Sequence, residues 1–198
     1  MDSESRQAHW DNVYTKKGEN EVSWFQENPA PSLEIIAQVG AIAASAIIDI
    51  GGGASRLVDN LINKGFQDVT VLDLSEAALE AAKGRLGTRA AGVHWVVADV
   101  TVWEPLKKYD IWHDRAAFHF LTEENDRAAY VARLERGLKV GGYAIIATFA
   151  LDGPERCSGL PVMRYDGASL GRTLGSVFQL VSTRRHEHAT PWGSQQIF

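Results

Sequence analysis

Ile47-Ile48-Asp49-Ile50-Gly51-Gly52-Gly53-Ala54-Ser55 is a short apolar run that holds one acid and stops on three glycines. Residues 46–50 are too few for a helix and end at a breaker, so they predict a buried strand. Leu57, Val58, Leu61 and Ile62 follow at helical spacing, with Gly65 as the stop signal. The unit is strand, glycine turn, helix. Glycine lets the backbone approach a ligand that a side chain would block. The start of the next helix offers free N–H groups and a positive dipole end.

The same alternation spreads outward. Residues 68–73 predict a second strand, and Ser75 caps the next helix with Glu76 in its first turn. Ala77, Ala78, Ala81 and Ala82 let that helix sit close to a sheet. Residues 93–97 predict a third strand, closed by Asp99, and residues 109–113 a fourth. Thr122, Glu123, Glu124 and Asp126 open a helix that ends near Gly137. Residues 143–149 predict a fifth strand after a Gly141-Gly142 turn. Upstream, Leu33, Ile36, Ala37 and Val39 form a helical stripe with Pro31 in its first turn. Strands alternating with helices predict an α/β fold, doubly wound, with a mostly parallel sheet. Residues 178–184 and 194–198 predict two strands joined through Pro191-Trp192-Gly193, an antiparallel hairpin on one edge of that sheet. The expected division is an aromatic arm over residues 1–30 and a ligand-binding domain over residues 31–198.

Composition bounds the function. Of 198 residues, 45% are apolar and 23% charged, which suits one globular domain. A net charge of -5 and the lack of any Lys/Arg run disfavour nucleic acid. No apolar run reaches the roughly 20 residues of a membrane helix, and the polar start predicts no signal peptide. Cys157 stands alone, so neither an internal disulfide nor a thiolate metal cluster is expected. His186 and His188 lack a third ligand, so no metal site is expected. A soluble, cytoplasmic protein is the expectation.

Asp49, Asp73 and Asp99 each stand at or near the end of one of the first three strands. Parallel strands present their carboxyl ends along one edge, where doubly wound sheets bind ligands. The three acids are thus expected to line one crevice. Asp73 follows the glycine turn by about twenty residues, the usual place for an acid that binds a ribose hydroxyl pair. A dinucleotide dehydrogenase would need a glycine where Arg56 stands.

With these residues in place, the chain resembles the class I, seven-stranded, Rossmann-like methyltransferases that use S-adenosyl-L-methionine (SAM) and release S-adenosyl-L-homocysteine (SAH). The resemblance covers residues 32–198. Residues 47–55 are similar to the first motif of that family, with Ser55 at its third glycine position. It implies that Asp49 with Gly51-Gly52-Gly53 faces the methionyl part of SAM. It also implies that Asp73, followed by Leu74, binds the ribose hydroxyls, and that Asp99, followed by Val100, meets the adenine amino group. Residues 109–115 are similar to the fourth-strand motif, which places His113 and Asp114 beside the transferring methyl.

The arm carries His9-Trp10-Asp11-Asn12-Val13-Tyr14 and Ser23-Trp24-Phe25-Gln26. These resemble aromatic segments of thiol, halide and thiopurine methyltransferases and of some protein-lysine methyltransferases. They imply a lid in which Trp10, Tyr14, Trp24 or Phe25 covers SAM and substrate. Asp114-Arg115-Ala116 resembles an Asp-Arg-Gly segment of the same groups, with alanine in place of glycine. The candidate catalytic residues are Asp114 and His119, the latter as a proton acceptor near neutral pH. Arg164, in a long loop after the fifth strand, is a candidate for an anionic substrate group. The expected acceptor is a small-molecule thiol, amine or hydroxyl compound. A protein lysine is the alternative, and a SAM-fold subunit that binds without catalysing is a reading of another class.

Overall fold

The computed structural model describes residues 3–198. Helix α1 covers Ser3–Lys16 and α2 covers Ala30–Gln38. Then follow β1 (Ala46–Ile50), α3 (Leu57–Asn63), β2 (Asp68–Asp73), α4 (Glu76–Leu86), β3 (Val93–Val97), β4 (Tyr109–Arg115), α5 (Glu124–Gly137) and β5 (Leu138–Ala147). Beyond them lie two short strands, β6 (Arg156–Cys157) and β7 (Leu160–Pro161), then α6 (Gly167–Leu174), β8 (Glu187–Ala189) and β9 (Gln195–Ile197).

The central sheet is parallel, in the order β3-β2-β1-β4-β5. Alternate side chains leave its two faces. Ile47, Val69, Val71 and Ile111 pack with residues of α2, α3 and α4, including Ile36, Leu57, Leu61 and Leu79. Ile48, Ile50, Leu72 and Trp112 pack with Tyr130 and Leu134 of α5, against which Leu170 and Leu174 of α6 also lie. Every residue of β1 is buried, as a strand covered on both faces should be. Ser75 caps α4 by accepting from the Ala78 N–H. Strand order reverses between β1 and β4, so the ligand edge is the one carrying the ends of β1 to β4. Among the described residues no helix is long and apolar enough to cross a membrane.

The expected seven-stranded sheet is corrected to five strands. Residues 178–184 form no strand: Leu180 and Val181 are exposed, and nothing there offers the buried face that would fix a register. The terminal hairpin exists, but as the separate pair β8–β9. It is held elsewhere, because the Ala150 N–H donates to the Ile197 carbonyl at 3.0 Å and His188 Nε2 lies 2.8 Å from the Ser23 carbonyl. It buttresses the arm, and β5 remains an edge. The expected Gly141-Gly142 turn lies within β5, where Gly141 takes φ +77 and the register to β4 shifts between Tyr109 and Ile111.

Candidate functional site

The ends of the first four strands open into one cavity with two lobes. The larger has about 800 Å³ of empty space counted to its open mouth, within the roughly 300–1,000 Å³ of small-molecule and cofactor sites. Its wall takes Ile50 and Gly51 from the end of β1, Leu72, Asp73 and Leu74 from β2, and Ala98, Asp99 and Val100 after β3. The smaller lobe is lined by Asp49, Gly51, Gly52, Ser55, Arg56, His113 and Phe25. Tyr14, Trp24, Gly51 and Arg115 belong to both.

The glycine turn shapes the floor. Gly51 has φ +65, and a Cβ there would come within 2.6 Å of Ala117 Cβ. Gly53 has φ +43, and its Cβ would come within 2.9 Å of Asp73 Oδ2 and of the Tyr14 hydroxyl. Side chains are thus barred by backbone conformation and by space.

Each acid is held differently. Asp49 Oδ1 lies 2.7 Å from His113 Nδ1, and His113 Nε2 lies 2.9 Å from Ser32 Oγ. This buried chain fixes one Asp49 oxygen. Asp73 accepts from the Ser75 N–H at 2.8 Å. Burial pushes its pKa up to about 7, with Asp49 adding to the rise, against hydrogen bonds from the Ser75, Gly53 and Leu74 N–H groups. Asp99 accepts from the Thr101 N–H and hydroxyl, and from Arg6 at 2.8 Å. Burial works to raise its pKa, but those hydrogen bonds and the Arg6 charge hold it below the usual range.

The arm roofs the cavity. Trp10 packs edge-on against Trp24 at 5.6 Å and against Phe120 at 5.0 Å, and Tyr14 packs against Trp24 at 6.2 Å. Arg6 ties α1 down by bonding both Asp99 and Asp126, and Asp11 accepts from the Ser75 hydroxyl at 2.6 Å. Burial, then the Asp73 charge, pushes the Tyr14 phenol well above its ordinary range.

Three candidates are not in this site. Asp114 accepts from the Ala117 and Phe118 N–H groups and from the Tyr130 hydroxyl at 2.7 Å, fully buried in the opposite core. His119 is fully buried between Phe120 and Phe149. Burial, with Arg115 adding to it, depresses its pKa to about 3, so it is no proton acceptor at neutral pH. Arg164 turns to the Gly153 carbonyl and Glu155. Strand alternation was the overlooked signal: Trp112 and Asp114 share one face of β4, so His113 and Arg115 share the other. The sequence reading also missed Arg6, whose acids lie 93 and 120 residues away. Ala116 has φ +68, which explains why similar segments place glycine there.

A family described as "Methyltransferase domain" matches residues 47–142. A trans-aconitate 2-methyltransferase of Rhizobium leguminosarum bv. trifolii (strain WSM2304) is 30% identical over 61% of this chain and 45% of its own length. The chain thus spans less than half of that curated relative. Among solved structures, one described as "Conversion of a Disulfide Bond into a Thioacetal Group during Echinomycin Biosynthesis" superposes with a TM-score of 0.74 at 20% identity, covering 96% of this chain and 87% of that one. The Burkholderia thailandensis 1,6-didemethyltoxoflavin-N1-methyltransferase, solved with 1,6-didemethyltoxoflavin and S-adenosylhomocysteine, superposes with a TM-score of 0.66 at 19% identity, covering 98% and 81%. At such identity the likeness is one of fold.

Proposed function

We propose that the chain, whose residues 47–142 match a family described as "Methyltransferase domain", is a class I, Rossmann-like methyltransferase that transfers a methyl group from SAM to a small-molecule nucleophile. The observation that carries this is the row of acids along one cavity edge. Asp73 and Asp99 line the larger lobe with Leu74 and Val100, and Asp49 lines the smaller with the glycine turn.

The residues present fit the cofactor. Asp73 would accept the ribose hydroxyls, Asp99 the adenine amino group, and Leu74 and Val100 would supply apolar contact. Asp49, oriented by His113, would meet the methionyl ammonium, and the absence of a Cβ at Gly51 keeps space for the ligand. When bound, SAM supplies a methyl on a positively charged sulfur, a leaving group already activated for in-line displacement. The tasks left to this chain are alignment and exclusion of water. Trp10, Tyr14 and Trp24 would serve as the lid, and an aromatic face beside a sulfonium contributes about 0.5–2 kcal/mol. Tyr14 holds its proton and His119 lies outside the cavity wall, so neither serves for proton removal.

The small-molecule class is supported by the named relatives, one acting on trans-aconitate and one solved with 1,6-didemethyltoxoflavin. The test is transfer of labelled methyl from SAM to a cell extract split by size. Label in the small-molecule filtrate is expected. Label confined to macromolecules would replace this acceptor class with protein.

A further inference from the structure

Arg115 carries a charge that the fold does not use up. It ends β4 and belongs to the wall of both lobes, at their junction under Trp24 and Tyr14. Nη1 donates to the Trp24 carbonyl at 3.0 Å. Nη2 is buried and has no hydrogen-bond partner among the described residues. The guanidinium lies over the Phe198 ring at 4.8 Å, so the C-terminal hairpin supports it from behind. Burial lowers its pKa to about 10, with Cys157 and Asp49 opposing, so it stays charged at neutral pH. Asp49 is already engaged by His113, and burial raises the Cys157 thiol to about 11, so that sulfur is neutral. A desolvated guanidinium with one arm unused is a strong site for a planar oxyanion.

We propose that Arg115 anchors a carboxylate of the methyl acceptor, which makes the acceptor an acid-bearing small molecule; this rests on the methyltransferase reading above. The cofactor also brings a carboxylate. The lobe assigned to its methionyl end also has Arg56 in its wall, paired with Glu27 at 3.8 Å, and Arg6 in the larger lobe holds Asp99 and Asp126. Arg115 stands at the junction of the two lobes with its Nη2 turned to no partner among the described residues.

The experiment compares the full chain with Arg115→Met and Arg115→Lys, each saturated with SAH, by calorimetry with malonate and with uncharged malonamide. Malonate is expected to bind the wild-type complex and malonamide not. Arg115→Met should weaken malonate about tenfold or more, and Arg115→Lys should keep part of the affinity. SAH affinity should stay within about threefold in both variants. Equal malonate binding in Arg115→Met, or none in wild type, overturns the proposal. A large loss of SAH affinity in Arg115→Met, with 5′-methylthioadenosine (which lacks the amino-acid end) bound as before, assigns Arg115 to the cofactor carboxylate and also overturns it. Failure of the wild type to bind SAH is a separate result, which removes the methyltransferase reading and this proposal with it.

Discussion

Asp73→Asn should separate stability from ligand binding, because the native fold holds this carboxyl under strain of burial. Its pKa is raised from 3.8 to about 7, first by burial and then by Asp49. Between those values the native chain keeps a proton that the unfolded chain has lost. Stability from this group is therefore fully present below the unfolded pKa and declines as pH rises, levelling off above about 7. From pH 5 to pH 8 the linkage relation gives a loss of about 2–3 kcal/mol for that shift. Asparagine does not titrate, so the gap between wild type and variant should move by this amount across the same window. The constant part of the gap, from hydrogen bonds that the carboxylate accepts and the amide cannot, cancels in the comparison. The assay is urea unfolding without ligand at pH 5, 6, 7 and 8. Ligand binding should behave oppositely. Two ribose hydroxyls donate best to the ionised form, so wild-type SAH affinity should climb by up to about tenfold per pH unit below 7 and then flatten. Asp73→Asn should bind SAH at least about 30-fold more weakly, with no such climb. Parallel pH dependence of stability in the two proteins, or pH-independent SAH affinity in wild type, would refute the reasoning.

Gly51→Ala places a methyl against Ala117 at a backbone angle of φ +65, and should cost about 1–3 kcal/mol of stability together with SAH affinity, read by urea unfolding and calorimetry. Ala116→Gly relieves the left-handed backbone at φ +68 and should leave the fold unchanged or up to about 1 kcal/mol more stable; a clear loss would show that the angle is not the constraint. His119→Phe removes two buried nitrogens without partners and should keep turnover and its pH profile, with stability within about 1 kcal/mol of wild type. A shifted pH profile in that variant would return His119 to the catalytic role denied it here.

The sheet core was legible because its strands are short apolar runs fenced by glycine and aspartate, and β1, β2 and β3 fall on the expected residues. The Ser75 cap was legible for the same local reason. Long-range choices were less so. Helix α1 buries only Val13, so its mostly polar sequence carries no apolar stripe that would announce a helix. It is held instead by Arg6 reaching Asp99 and Asp126, and by Asp11 reaching Ser75. The hairpin was seen, but its partner is set by tertiary contacts with Ser23 and Ala150 that no local pattern encodes. At the site, the cofactor-side candidates fell along one cavity because strand ends share an edge. Asp114, His119 and Arg164 did not, because chemical type was weighed there without the direction each side chain takes. Applying strand alternation to β4 separates His113 and Arg115 from Asp114 without any coordinates.

The claim on which all of this depends is that the acid-lined cavity holds an adenosyl ligand. A crystal structure of the chain with SAH tests it most directly. The ribose is expected on Asp73, the adenine edge on Asp99 and the amino-acid end beside Asp49 and Gly51. Ligand bound elsewhere, or those carboxylates left without contact to it at full occupancy, would overturn the assignment of this cavity.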